Sequence, residues 1–428
     1  MALTDMSIVA KSLKHRKFST ITTALMVAVA VALLLTLLGL RESAAKAFAR
    51  GTGNMHILVC ADDSPLAGVL NSVFYARAPR RAITYQLYRK IAEDGRLAWS
   101  IPVQHGDNFK GFPTLATTSE IFTKFEPVAG EKWRFASGRP LAEGQAGTWD
   151  VVLGAEAARG TGLKVGKKLI VTHGTSKQGH QHDDHPFEVV GVLERTGSPH
   201  DRAVFINLNA TWIMHADETR RAGANGKPFE EPTAGNLTDA EKMITGIYQR
   251  IKTREGSESS PAIGMVFDEL RRDVRLTVAR PADEVSNLMR IVGNVDRIVL
   301  VIAWIVLLSS SISVMLALYN SMEQRRRQIA VLRVLGASPL RIAGLVVTES
   351  AIVGLMGAAA GLLLFGVGGV LAVRIVQDKL GLVLALQPDA KDVVLVLLGT
   401  LALAVLAGLI PAIVGYRTDV VRQLRPIG

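Results

Sequence analysis

Apolar residues along this chain gather into four long runs, at 21–40, 298–319, 346–373 and 393–413, none with a charge at its centre. The hydrocarbon core of a bilayer is about 30 Å thick and takes roughly 20 helical residues to cross. The pattern therefore predicts four transmembrane helices. The first run follows Lys11, Lys14, Arg16 and Lys17 and precedes Ala45-Lys46-Ala47, an order of parts shared with cleavable signal peptides. It is longer than the roughly 7–15 apolar residues of a signal, so we read it as a span. Residues 1–20, ahead of it, read as a short amphipathic segment.

Between the first two runs, 41–289 has the mixed pattern of a globular domain. Residues 41–50 continue helically until Gly51-Thr52-Gly53. Short β-type runs follow at 55–60, 99–103, 151–153, 168–172, 187–193 and 203–207, with a helix at 82–92. At 239–252 the residues Ala240, Met243, Ile244, Ile247, Tyr248 and Ile251 recur at helical spacing and predict another helix. The expected architecture is thus an α-helical membrane protein with four transmembrane helices plus a large α+β extracytoplasmic domain. That domain is read as α+β at both ends, with a mainly β insert at about 107–225. Glycine, serine and charge mark 220–232 and 254–261 as loops.

Charge adds the orientation. Lys and Arg number 49 against 38 Asp and Glu, a formal +11, yet charged residues are only 20% of the 428. Mean hydropathy is +0.26. The basic residues cluster before the first run, between the second and third (Arg325, Arg326, Arg327, Arg333, Arg341) and after the fourth (Arg417, Arg422, Arg425). The connection at 374–392 is balanced, with Arg374 and Lys379 against Asp378 and Asp389. This placement argues against nucleic-acid binding. By the positive-inside rule it puts both termini, 414–428 included, and the 320–341 loop in the cytoplasm, with 41–289 outside. Cys60 is the only cysteine, so no intramolecular disulfide forms.

No phosphate-binding loop, zincin helix, nucleophile elbow or cysteine-pair metal motif occurs in the sequence; the Gly-Lys pair at 166–167 lacks the required spacing. These absences give no basis for an enzyme, and energy for any transport must come from a separate chain. One stretch has unusual chemistry. His173, His180, His182, Asp183, Asp184 and His185 lie together before Pro186, and His200 and His215 follow. Imidazole and carboxylate in combination suit Zn²⁺, and His215 completes a site if the fold brings it close. The alternative is a solvated polar hairpin.

The stretch 319–338, Tyr-Asn-Ser-Met-Glu-Gln-Arg-Arg-Arg-Gln-Ile-Ala-Val-Leu-Arg-Val-Leu-Gly-Ala-Ser, resembles the cytoplasmic loop of FtsX/MacB-type ABC transporter permeases. Glu349 with Gly354, Gly357 and Gly361 fits the same pattern, as does Leu406-Ala407-Gly408-Leu409-Ile410-Pro411-Ala412. Gln328 stands where the family commonly has Glu, and Gly415 and Val420 replace a usual Ala and Pro. Trp133, Gly138-Arg139, 151–154, 162–166 and 187–192 resemble the family's β-rich exported domain more weakly. The His-Asp-Asp-His-Pro loop is similar to that of a subgroup associated with metal-responsive transport genes.

The resemblance implies an inner-membrane homodimer bound to two copies of an ATPase subunit, which pull mechanically on Arg325, Arg326, Arg327, Arg333, Gly336, Ala337 and Ser338. It also implies a periplasmic substrate-binding or adaptor protein as partner. Zinc-linked transport, peptide or drug export and lipoprotein extraction all stay open. So does a membrane-anchored sensor or scaffold, which would ordinarily carry a larger cytoplasmic output domain. Gly357 and Gly361 form a small-xxx-small pattern for helix packing, either within one subunit or between two. Glu349 is placed either to pair with Arg333 or Arg341 or to reach the membrane interface.

Overall fold

The computed structural model describes residues 5–173, 185–224, 229–324, 326–380 and 388–416. The chain opens with α1 (Asp5–His15) and α2 (Lys17–Gly51). Then come β1 (Ile57–Cys60), α3 (Pro65–Ser72), β2 (Ile83–Thr84), α4 (Tyr85–Ala92), β3 (Leu97–Gln104), β4 (Asp107–Phe109), β5 (Phe112–Thr117) and α5 (Ile121–Lys124). The middle holds β6 (Phe135–Gly138), β7 (Asp150–Leu153), α6 (Ala155–Thr161), β8 (Lys168–Leu169), β9 (Thr172–His173), β10 (Phe187–Leu193), β11 (Val204–Asn207) and α7 (Leu208–Ala224). After it come β12 (Met243–Ile244), β13 (Gly246–Ile251), α8 (Pro261–Leu270), β14 (Thr277–Ala279), α9 (Pro281–Gln324), α10 (Arg326–Val334), α11 (Pro339–Leu380) and α12 (Ala390–Tyr416). Two compact units result, one of 1–44, 291–378 and 384–428, the other of 45–290 with 379–383.

The first unit is helical. Four of its helices hold segments long and apolar enough to cross a membrane: Lys17–Phe48, Leu300–Glu323, Pro339–Leu371 and Ala390–Val414. Val27, Val31, Leu34 and Leu35 of α2 pack with Ala303, Leu307 and Val314 of α9 and with Val396 and Ala407 of α12. α11 begins at Pro339, ahead of the expected 346, because Ser338 caps it and proline suits a first helical turn.

The second unit is built on one mixed sheet. Among the described residues, twelve strands join it, with a central path β14-β1-β13-β3-β5-β11-β7-β10-β6. The pairs β10·β7 and β11·β5 are parallel and the rest antiparallel. Both faces are covered. Ile57, Val59, Val151, Leu153, Val204, Ile206 and Ile247 face one core, while Leu58, Val152, Phe205 and Tyr248 face the other. Fully burying a side chain of this size stabilises by about 1.5–3 kcal/mol. The flanking helices start on local signals: Ser64 accepts from the Ala67 amide before Pro65, and Ser260 from the Ala262 amide before Pro261.

The helix expected at 239–252 is instead β12 and β13, and β13 lies buried between β1 and β3. A strand covered on both faces is apolar on both, so it lacks the alternation that would identify it. The expected mainly β insert at 107–225 is continuous with the rest of the domain. Its strands extend the sheet begun by β1, β3 and β13, and it contains α5, α6 and the long α7, whose last turns occupy the start of the expected 220–232 loop.

Polar groups also enter this core. Tyr248 donates to the Ser72 carbonyl. The Tyr75 hydroxyl lies 2.7 Å from Nδ1 of His200, which sits among Phe125 and Trp133. Burial pushes the imidazole of His105 down to about 3 and that of His200 to about 4, and lowers His56 as well. Unfolded, these side chains titrate near about 6.5. As pH falls through that value the unfolded chain binds protons that the folded chain refuses, so stability is lost with acid. Each of the two deeply shifted histidines contributes about 1.4 kcal/mol per pH unit between their unfolded and folded values. Tryptophan-detected melting, with Trp99, Trp133, Trp149 and Trp212 all in this unit, should therefore fall by several degrees between about pH 7 and pH 5. Replacing His105 and His200 by Gln should flatten that slope. A melting temperature constant across this window would contradict the assignment.

Candidate functional site

The turn between α10 and α11 is closed by two caps in succession. The Gly336 amide donates to the Arg333 carbonyl at 3.1 Å and the Ala337 amide to the Leu332 carbonyl at 3.0 Å. Together they satisfy the last carbonyls of α10 through a residue in the left-handed region. Gly336 has φ +97°, where a Cβ is strained even though the space around it is open. Ser338 then accepts from the Arg341 amide at 3.2 Å and starts α11. Beneath the turn, Met322, Ile329, Ile342, Val346 and Ala412 form a small core against which Ala337 packs.

The other side of the turn is uncovered. Val331, Val334 (65% exposed) and Leu335 (78%) stand at i, i+3 and i+4, and Leu340 (75%) stands just beyond the turn. Four large apolar side chains thus share a surface with the arginine-bearing helix. Arg326, Arg327 and Arg333 lie in α10, and Arg325 lies outside the described residues. Arg341 pairs with Asp5 of α1 at 2.6 Å.

Further along α11, the small residues face their own chain. A Cβ on Gly357 would stand 2.6 Å from Val27, and one on Gly361 2.7 Å from Val31 and 2.8 Å from the Ala28 carbonyl. The stripe therefore seats α2 within one subunit. Glu349 is met from α1, while Arg341 pairs with Asp5. The glutamate accepts from Ser12 at 2.9 Å and lies 3.8 Å from Arg16, because α1 runs beside the start of α11.

In the second unit, His173 on β9 is the ladder partner of Asp107 on β4. Nε2 of His215, on α7, lies 3.4 Å from the same Asp107 carboxylate, and Nδ1 lies 3.3 Å from Gln104. His185 stacks on Trp149 with ring centres 4.7 Å apart and lies 4.0 Å from Asp217, also on α7. His180, His182, Asp183 and Asp184 lie outside the described residues. Among the described residues no group of three or more His, Cys, Asp or Glu is placed to hold a metal ion.

The family model of the MacB-like periplasmic core domain matches residues 20–255, more than half of the chain, and that of the FtsX-like permease C-terminal region matches 300–420. The chain belongs to the FtsX/MacB family of ABC transporter permeases. An uncharacterised ABC transporter permease of Methanocaldococcus jannaschii is 25% identical over 247 residues, 56% of this chain and 55% of that relative. The match thus spans about half of the relative's length. Two solved structures are similar at 12% identity. One is the periplasmic region of MacB from Actinobacillus actinomycetemcomitans, covering 56% of this chain and 95% of that one at a TM-score of 0.34. The other is the extracellular domain of the ABC-type transporter YknZ from Gram-positive bacteria, covering 52% and 98% at 0.28.

In this FtsX/MacB permease, Arg333, Gly336, Ala337 and Ser338 come together in one turn. The histidines group more loosely, His173 and His215 through Asp107, and His185 beside Asp217. Sequence reasoning missed the exposed Val331, Val334, Leu335 and Leu340, although the i, i+3, i+4 spacing of the first three is a readable signal. It also missed Asp107 and Asp217, whose proximity only the fold creates.

The glycine contact generates a direct test. Gly361→Leu should overpack the α2–α11 interface and lower the melting temperature of the purified permease by several degrees, about 1–3 kcal/mol. Gly366→Leu, where a Cβ meets nothing within 4 Å, should leave it unchanged. Equal melting of the two variants would show that the stripe does not carry the packing.

Proposed function

We propose that this permease is driven by a separate ATPase subunit docking on the α10–α11 turn. The observation that carries the reading is the uncovered stripe of Val331, Val334, Leu335 and Leu340 beside the basic helix. Contiguous exposed apolar side chains rimmed by charge mark interaction surfaces. A sensor without a partner has no use for one here. The basic clusters put the turn and both termini on the cytoplasmic side of the inner membrane, where ATP is available, and the sheet unit in the periplasm. Two permease copies and two ATPase copies form the assembly, which a native mass of the purified complex would count. Closure of the ATPases moves the turn, and α2 and α9, with residues in both units, pass the motion on. Leu335→Asp and Gly336→Trp should each cut co-purification of a co-expressed ATPase and its stimulated hydrolysis by about tenfold or more. Full retention of both would defeat the docking surface.

The sheet unit, in the same reading, captures a divalent transition metal, Zn²⁺, as part of metal-linked transport. Support comes from His173 and His185, which bracket 174–184 and lie beside Asp107 and Asp217, with His215 on the same helix as Asp217. Calorimetry with Zn²⁺ on the full chain in nanodiscs should show binding at about pH 7.5 that is largely lost at about pH 5.5, as protons compete for imidazole. Changing His180, His182 and His185 to Ala should abolish it. Equal binding by parent and variant, or none by either, would reduce the segment to a polar hairpin.

A further inference from the structure

The sheet unit contains a cavity of about 150 Å³ that shares only Asp107 with the metal reading and nothing with the docking reading. Phe48, Phe74, Pro113 and Pro199 give it apolar walls, and Arg77 and Arg202 bring guanidinium groups to it. Cavities of about this volume admit a benzene-sized body.

Its polar lining is built and incomplete. His105 is 8% exposed and faces the cavity, and neither of its ring nitrogens has a hydrogen-bond partner. The Thr114 and Ser72 backbones lie beside the ring and offset a little of the burial that keeps it neutral. The amide nitrogen of Asn108, another lining residue, is also buried and unpartnered, although its oxygen accepts from the Gly111 amide at 3.3 Å. Buried groups left this way destabilise the fold, and two on one cavity wall point to something that completes them. A neutral imidazole and an amide NH2 offer three N–H donors and one acceptor nitrogen. Arg202 lies over the Phe112 ring and Arg77 is exposed near it, so positive charge reaches the opening. The one carboxylate on the wall, Asp107, lies 3.4 Å from His215 Nε2, on the side of α7.

Tyr75 adds a second sign of a constrained wall. It sits at φ +57°, a left-handed conformation that strains a bulky residue. Its hydroxyl is held by buried His200 and its ring lies 5.3 Å from that of His105. The ring is thereby fixed against the side of the imidazole.

We propose that this cavity is a binding site for a small organic carboxylate with a ring-sized apolar body. The body fills the aromatic and proline walls, the carboxylate takes the His105 and Asn108 donors, and the guanidinium groups select for negative charge.

The probes are phenylacetate, neutral phenylacetamide and ringless acetate, each titrated by calorimetry into the full chain in nanodiscs up to about 10 mM. Phenylacetate should bind, phenylacetamide more weakly and acetate not at all. His105→Phe removes the unpartnered nitrogens, so it should weaken phenylacetate binding by about tenfold or more while leaving the melting temperature equal or higher. A structural histidine would instead lower the melting temperature on replacement. Arg202→Met should weaken phenylacetate by about tenfold and narrow its preference over phenylacetamide. Ala78→Trp, at the exposed edge of the cavity, should block all binding without touching the buried wall. The site is disproved if parental protein binds no phenylacetate, or if binding survives both His105→Phe and Ala78→Trp unchanged.

Discussion

Lipid tails are as apolar as leucine, so helices inside a bilayer gain nothing by burying apolar side chains against one another. What holds them is close contact between small residues and hydrogen bonds across the interface. The helical unit is organised by that constraint. Gly357 and Gly361 let α11 approach α2, and Gly354 meets Ala404 of α12 in the same way. Ser310 donates to the Met26 carbonyl, Ser311 to Leu403 and Ser350 to Ala404, tying α9 and α11 to their neighbours. The turn that begins α11 is one continuous helix away from these contacts. Any force applied at Gly336–Ser338 therefore reaches an interface that has little slack. Ser12 and Arg16 at Glu349 fasten α1 to the same helix, which makes that carboxylate a tie between helices.

The sheet unit answers to water instead, and its legibility in the sequence differs accordingly. The spans were readable because roughly twenty uninterrupted apolar residues have one common meaning. The strands at 151–153, 187–193 and 203–207 were readable because turn residues bound them. β13 was not, since its residues are buried on both sides and the chance spacing of Ile244, Ile247, Tyr248 and Ile251 imitated a helix. Helices α3 and α8 have no counterpart in the sequence reading, which has 254–261 as a loop, although Ser64-Pro65 and Ser260-Pro261 are local helix-start signals.

The sites show the same division between local and distant information. The α10–α11 turn was legible because its caps are sequential: Gly336, Ser338 and Pro339 each act within a few residues. Its apolar face was overlooked because Val334 and Leu335 look like core until burial is known, and burial is a property of the whole fold. Asp107 and Asp217 come beside the histidines from another strand and a helix, and no spacing in the sequence joins residue 107 to residue 215.

Polar burial separates the two units further. In the helical unit, buried Ser350, Ser310 and Thr400 each donate to a main-chain carbonyl, and Glu349 has both Ser12 and Arg16. Among the described residues, every buried side-chain nitrogen or oxygen without a hydrogen-bond partner lies in the sheet unit. A bilayer offers no water to a helix whose polar groups open, so unmatched groups there cost several kcal/mol at all times. A domain in water can keep such groups and match them by admitting a molecule from outside. Among the described residues, the buried polar groups that an outside molecule could complete therefore lie in the sheet unit.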